Sequence, residues 1–317
     1  MSVREVEILT GQLSQVLGGA TVTDLQRLSG GASRETWRFH AGADDLILQR
    51  VRPGTVDGLK QEPAVLQAAA RGGVPVAEMV FDGSKSDALE RPFMIVRAVD
   101  GETIARKILR DEEYAIARQK LSRQLGEALG HLHAIPVAEV PGLTVDDQLE
   151  RFGAMLHNFK EPHPIFEIAI RWLDSHRPQE FPHRIVHGDF RMGNIIVGTD
   201  GLRAVLDWEG AHIGDPMEDL GWVCTKAWRF GGLQPVAGVG SYSDLLDGYE
   251  HISGVRPDMD VLKWWVILGS LRWGIICMWQ ASFHLDNISR SHELAAIGRR
   301  VCENEWDLIE MLEEEMS

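Results

Sequence analysis

The stretch His187-Gly188-Asp189-Phe190-Arg191-Met192-Gly193-Asn194 sets a carboxylate and an amide five residues apart, between two apolar runs. A second acid opens Asp207-Trp208-Glu209, after a stretch interrupted by the turn residues Thr199-Asp200-Gly201. The apolar runs at 195–197 and 204–206 flank that turn and read as a hairpin, which returns Asp207 to the end where Asn194 and Asp189 lie. The product is an acid–amide–acid cluster. Phosphoryl transfer asks for such parts: a group that orients an attacking hydroxyl and accepts its proton, and oxygen ligands for a magnesium ion that neutralises phosphate charge.

The elements that must position this cluster fall into two groups. Val3, Val6, Leu9, Leu13 and Leu17 have helical spacing over residues 3–18. Strand patterns follow at 22–28, 36–40 and 46–51; the first ends at Ser29-Gly30-Gly31, and turn residues at 41–45 join the other two. A helix is expected over 59–71, closed by Gly72-Gly73, and strands over 77–81 and 93–96 complete a set of five. Beyond about residue 103 the pattern is mostly helical, with a long amphipathic helix over 113–134. Asp215-Pro216-Met217-Glu218 spells a helix start of the capping-box kind, which makes Asp215 and Glu218 structural. The expected organisation is α+β, with a lobe over residues 1–98 (1–20 an extra helix) and a helical lobe over 99–317. The polar motifs sit at the seam.

The run HGDxxxxN at 187–194, a hairpin, Leu206-Asp207-Trp208, then Gly214-Asp215-Pro216-Met217-Glu218-Asp219-Leu220 resembles the aminoglycoside phosphotransferase family, which shares the protein-kinase fold. Order and spacing match together over about residues 20–290. The resemblance implies a two-lobed fold: a small lobe with a five-stranded antiparallel sheet plus a helix, and a larger, mostly helical lobe. It implies a small-molecule kinase that uses ATP and Mg²⁺ to phosphorylate a hydroxyl of an aminoglycoside-like or hydroxyacyl-type acceptor. It makes Asp189 the catalytic carboxylate and Asn194 and Asp207 the magnesium ligands. Asp219 either braces the catalytic loop or serves only its own helix.

The same resemblance puts ATP in the first lobe. Ser29, Gly30 and Gly31 would let backbone N–H groups approach the phosphates. Strand alternation places Leu46, Leu48 and Arg50 on one face; Arg50 is assigned the phosphate contact, with Gln49 the alternative if the register slips by one. Arginine at a position where the kinase pattern has lysine keeps the charge and changes the geometry. Glu62 is expected to pair with Arg50, although Pro63 also suits Glu62 to a helix start. Backbone groups around Val96 and Ala98 would meet the adenine edge. Trp228, Arg229 and Arg272 are the candidates for the acceptor, the indole for stacking and the guanidiniums for an anion. Arg272 is also readable as half of a buried ion pair, and Glu209 as part of an acidic rim that suits a polyamine. The tryptophan-rich tail resembles the bacterial branch related to kinase domains fused to acyl-CoA dehydrogenases.

Composition narrows the alternatives. At 317 residues, with 44% hydrophobic and 25% charged residues, the chain is ordinary for a globular protein of one or two units. A formal charge of −15 argues against nucleic acid or an anionic membrane as partner. The start has neither the basic run nor the apolar core of a signal peptide. Cys224, Cys277 and Cys302 have no disulfide or zinc spacing and are expected in the core, so a cytoplasmic setting is expected. The apolar run at 264–279 has only 16 residues and contains Arg272, against the ~20 of a spanning helix, so it reads as a core helix. A non-catalytic ATP-binding regulatory module of kinase fold is the rival function; the presence of Asp189, Asn194 and Asp207 together argues against it. A protein kinase is disfavoured, because DFG and APE are missing and seven residues separate Asp207 from Gly214.

Overall fold

The computed structural model describes residues 3–28, 34–53, 58–59, 61–179 and 182–316. The first lobe contains α1 (Val3–Val16), β1 (Val22–Arg27), β2 (Arg34–Ala41), β3 (Asp44–Val51), α2 (Glu62–Arg71), β4 (Met79–Gly83) and β5 (Phe93–Arg97). Its five strands form one sheet in the order β1-β2-β3-β5-β4, with each neighbouring pair antiparallel. Alternation along the strands sends side chains to two different cores. Trp37, Phe39, Leu46, Leu48, Phe93 and Ile95 pack with Leu9 and Leu13 of α1. Val51, Met94 and Val96 face the other way and join Val65 and Leu66 of α2 in the core that continues into the second lobe.

Several element boundaries differ from the sequence expectation; β2 and β3, for example, each begin two residues earlier than 36 and 46. The fourth strand lies two residues later than 77–81, because its pairing with β5 aligns Gly83 with Phe93 and stacks Phe81 on Phe93 at 5.6 Å between ring centroids. The helix expected from residue 59 begins at Glu62, with Pro63 in its first turn, where the absent N–H is not missed.

The second lobe contains α3 (Ala105–Arg110), α4 (Ala115–His133), α5 (Gln148–Asn158), α6 (Pro164–Ser175), β6 (Arg184–Val186), β7 (Ile195–Gly198), β8 (Gly201–Val205), β9 (His212–Gly214), α7 (Met217–Cys224), α8 (Tyr242–Ser253), α9 (Met259–Leu285), α10 (His292–Ile297) and α11 (Val301–Met316). Strands β7 and β8 are the expected hairpin. The pairing of β6 with β9 was not legible, since three residues each are too few for a periodic signal. By length and composition α9 is apolar enough to cross a membrane, but 72% of its most apolar window is buried inside the protein. Leu268, Leu271 and Ile275 pack there against Phe166, Leu173, Leu308 and Leu312. Cys224 and Cys277 are buried as expected, whereas Cys302 is exposed on α11.

Candidate active site

The loop that carries Asp189 leaves β6 and enters β7 through a turn at Met192–Asn194. Fully buried Asp219 of α7 accepts hydrogen bonds from the backbone N–H groups of His187 (2.7 Å) and Gly188 (2.9 Å). The His133 ring sits 3.2 Å from the same carboxylate. Burial alone would raise this carboxyl, but the His133 hydrogen bond and charge and the His187 N–H outweigh it and hold the carboxyl below its ordinary range. The His187 ring donates from Nε2 to the Leu206 carbonyl (2.9 Å) and accepts at Nδ1 from the Asp189 N–H (3.1 Å), which fixes the orientation of the ring. Gly188 has φ +76°, and a Cβ there would stand 2.3 Å from the Gly210 carbonyl oxygen, so only glycine fits.

Asp189 points outward from this brace. Its carboxylate accepts from Arg191 Nε (3.0 and 3.1 Å), Asn194 Nδ2 (2.6 Å) and Trp222 Nε1 (2.7 Å). The hairpin brings Asn194 and Asp207 to one end: Ile195 pairs with Val205, and the Leu206 N–H donates to the Asn194 carbonyl at 2.8 Å. Asp207 sits in the left-handed region, φ 64° and ψ 65°. Burial, then the charges of Glu209 and Asp189, push its carboxyl above the ordinary range, against the opposing pull of Arg34 and His187.

Arg191 and Trp222 were not singled out from the sequence. Arg191 lies within the quoted motif, two residues after Asp189, which was the available signal. Trp222 lies within the apolar sequence of α7, where no local pattern marks it.

The expected capping box at α7 is only half formed. The Met217 N–H donates to Asp215 Oδ1 at 2.8 Å, but Glu218 turns inward. There it accepts from Arg272 Nη1 (2.9 Å) and lies 3.1 Å from His212 Nε2. Arg272 also donates to the Gly188 carbonyl and lies over the Trp222 ring, 4.1 Å from its centroid. Arg229 donates to the Cys224 carbonyl (3.0 and 3.3 Å). The two arginines expected at the acceptor are therefore both engaged by protein oxygens. Trp228 is buried in an indole cluster, 5.1 Å from Trp222 and 4.6 Å from Trp273 between centroids, with Arg191 4.6 Å above it.

In the first lobe the expected Arg50–Glu62 pair does not form. Arg50 follows Leu46 and Leu48 to the α1 side of the sheet, where it lies opposite Glu35 and donates to it at 2.8 and 3.2 Å. Glu62 is buried and pairs with Arg34, Nη1 to Oε1 at 2.5 Å. The backbone around Val96 also differs from expectation. The Ala98 N–H already donates to Asp45 and the Arg97 N–H to Glu78, each at 2.8 Å. Val99 is the first residue past these sheet bonds, and its N–H has no backbone acceptor among the described residues. Ser29, Gly30 and Gly31 lie outside the described residues.

Comparison with known proteins agrees with this geometry. The profile of the phosphotransferase enzyme family matches residues 24–265. Mouse (Mus musculus) acyl-CoA dehydrogenase family member 10 is 24% identical over 215 residues, 63% of this chain but only 20% of that relative's length. Among solved structures, a protein from Ralstonia eutropha JMP134 proposed to be an aminoglycoside phosphotransferase superposes with TM-score 0.78 at 22% identity, covering 98% of both chains. The GDP and kanamycin complex of APH(2")-IIia superposes with TM-score 0.66 at 17% identity, over 96% of this chain and 98% of that one. At these identities the superpositions establish the two-lobed kinase-like fold.

Proposed function

From the premise that this chain belongs to the phosphotransferase enzyme family, we propose that it moves the γ-phosphate of ATP onto a hydroxyl of a small-molecule acceptor, with magnesium. The observation that carries this reading is the Asp189 carboxylate, held by three side-chain donors beside the Asn194–Asp207 end of the hairpin. The acceptor hydroxyl would attack the γ-phosphorus in line, the bond to the ADP oxygen would break, and the hydroxyl proton would pass to Asp189. Trp222 and Arg191 keep that carboxylate from rotating, so the reaction begins from a fixed orientation.

Asn194 and Asp207 suit a magnesium ion. Asn194 uses Nδ2 on Asp189, which leaves Oδ1 to face a cation. Asp207 is a buried acid beside Glu209 and Asp189, a concentration of negative charge that a cation relieves. No cluster of three His, Cys, Asp or Glu side chains suited to a metal occurs among the described residues. That agrees with an ion held by two protein oxygens that completes its shell with phosphate and water. When bound, the ion would supply charge neutralisation on the phosphate oxygens.

The walls around Asp189 favour a hydroxyacyl-type or other uncharged or anionic acceptor over a polycationic aminoglycoside. The groups that touch the Asp189 carboxylate include the Trp222 indole and the Arg191 guanidinium, with Trp228 and Trp273 stacked behind them. The Nε1–H groups of Trp228 and Trp273 are buried without a partner among the described residues.

The test is ADP release from Mg·ATP across a panel of hydroxyacyl-CoA thioesters, choline, sugars, a macrolide and aminoglycosides, with Asp189→Ala as the blank. Release that depends on one acceptor class and disappears in the variant is expected. Mg·ATP binding with no release for any acceptor would favour the non-catalytic module, and equal release by the variant would remove Asp189 from its role.

A further inference from the structure

Nucleotide phosphates in a kinase cleft need a protein cation beside the magnesium, and β3 does not supply one on the cleft side. Ile47 and Val51 face the core shared with α2, so Gln49, on the same parity, is the residue that β3 turns toward the cleft. Gln49 is neutral. Arg50 is on the opposite face, held by Glu35, which also accepts from Arg91 at 3.3 Å.

The neighbouring strand supplies what β3 lacks. In the β2–β3 register Arg34 lies opposite Val51 and Thr36 opposite Gln49, so Arg34 is on the cleft face. Its own strand supports the assignment, since Trp37, Phe39 and Ala41 alternate to the α1 side. The Arg34 side chain is 9% exposed and that of Glu62 2%, so the two form a buried ion pair. Arg34 Nη2 also reaches Glu209 of the second lobe at 3.4 Å, a long contact to a half-exposed carboxylate. Burial works against the Arg34 charge, yet Glu62, Glu209 and Asp207 together raise its pKa above the ordinary value. The guanidinium thus bridges the helix acid of the first lobe and Glu209 of the second, two residues beyond the proposed magnesium ligand Asp207.

We propose that Arg34, oriented by Glu62, is the residue that contacts the nucleotide phosphates, in the place that Gln49 leaves neutral and from which Arg50 is turned away. The assignment rests on the kinase reading above. A planar guanidinium with one edge fixed on a buried carboxylate presents its remaining N–H groups in a defined direction, which suits two phosphate oxygens. The long Glu209 contact is the one that a phosphate oxygen would replace. Glu62 is a positioning residue in this arrangement.

Calorimetric binding of Mg·ATP and of adenosine to the full chain tests the proposal apart from turnover. Arg34→Gln leaves a buried carboxylate unpaired, so the companion variant Arg34→Gln/Glu62→Gln removes both charges and keeps the fold, as a thermal melt will verify. Both should weaken Mg·ATP by about ten- to a hundredfold, the range of a charge-assisted hydrogen bond, and leave adenosine affinity unchanged. Adding Gln49→Lys to the double variant returns a cation to the same face and should recover most of the lost affinity. Arg50→Gln should lose less than either Arg34 variant. A folded double variant that binds Mg·ATP as the wild type does, an equal loss for adenosine, or a greater loss in Arg50→Gln would each overturn the proposal. Wild-type protein that binds Mg·ATP but phosphorylates nothing would instead count against the kinase reading alone, and failure of the wild type to bind Mg·ATP would sink both.

Discussion

The indole N–H of Trp222 donates to the Asp189 carboxylate at 2.7 Å, from a helix that begins 28 residues after that acid. The same α7 carries Asp219, which holds the backbone on the N-terminal side of Asp189. One short helix therefore fixes both the position of the loop that carries Asp189 and the rotation of its carboxylate.

Trp222→Phe should remove the rotational restraint while keeping most of the buried volume. A donor to a charged group is worth about 1.5–3 kcal/mol, so turnover should fall by about ten- to a hundredfold. The apparent KM for ATP should hold, because Trp222 touches the carboxylate and not the nucleotide lobe. Steady-state kinetics would check this; a fall in ATP affinity with unchanged turnover would contradict the orienting role.

Asp219→Ala should destabilise the protein by about 3 kcal/mol or more, since it strands two buried N–H groups and the His133 ring. Asp219→Asn, which keeps one oxygen acceptor, should lose less. Denaturant midpoints for the two variants give the comparison. Wild-type stability in the alanine variant would show that the loop does not depend on this brace.

Stability should also depend on pH through His212. Burial lowers its pKa, but the Glu218 hydrogen bond and charge, then the Gly210 carbonyl, outweigh burial and raise it. Arg272 lies on the other side of Glu218, and Asp219 adds a further favourable charge. A raised histidine pKa stabilises fully below the unfolded value, and the contribution disappears as pH rises through the folded value. Melting temperatures measured from about pH 6 to about pH 9 should fall more steeply for wild type than for His212→Gln. Parallel curves would mean that the imidazole is not charged in the folded protein.

The legible part of the site was the part made locally. Asp189, Asn194 and Asp207 converge through one hairpin whose turn residues are written at 199–201, so sequence spacing was enough to place them together. Strand alternation likewise grouped Leu46, Leu48 and Arg50 correctly. The alternation was silent on which face would meet α1 and which the cleft, and Arg50 was assigned to the wrong one. The fourth strand moved by two residues for a related reason, because its ends are set by pairing with β5 rather than by its own composition.

Sequence alone determined the family, the order of the two lobes and the cluster of acids and amide at their seam. It could do so because turn chemistry, helix and strand periods and short motif spacings act over a few residues. Tertiary structure decided which cation meets Glu62, which indole orients Asp189, and that Arg272 and Arg229 bind protein rather than present themselves to an acceptor. For Glu62 and Asp189 the partners lie 28 and 33 residues away in the chain. Such contacts follow from how a strand face and a helix face are laid against each other, and periodicity does not encode that choice.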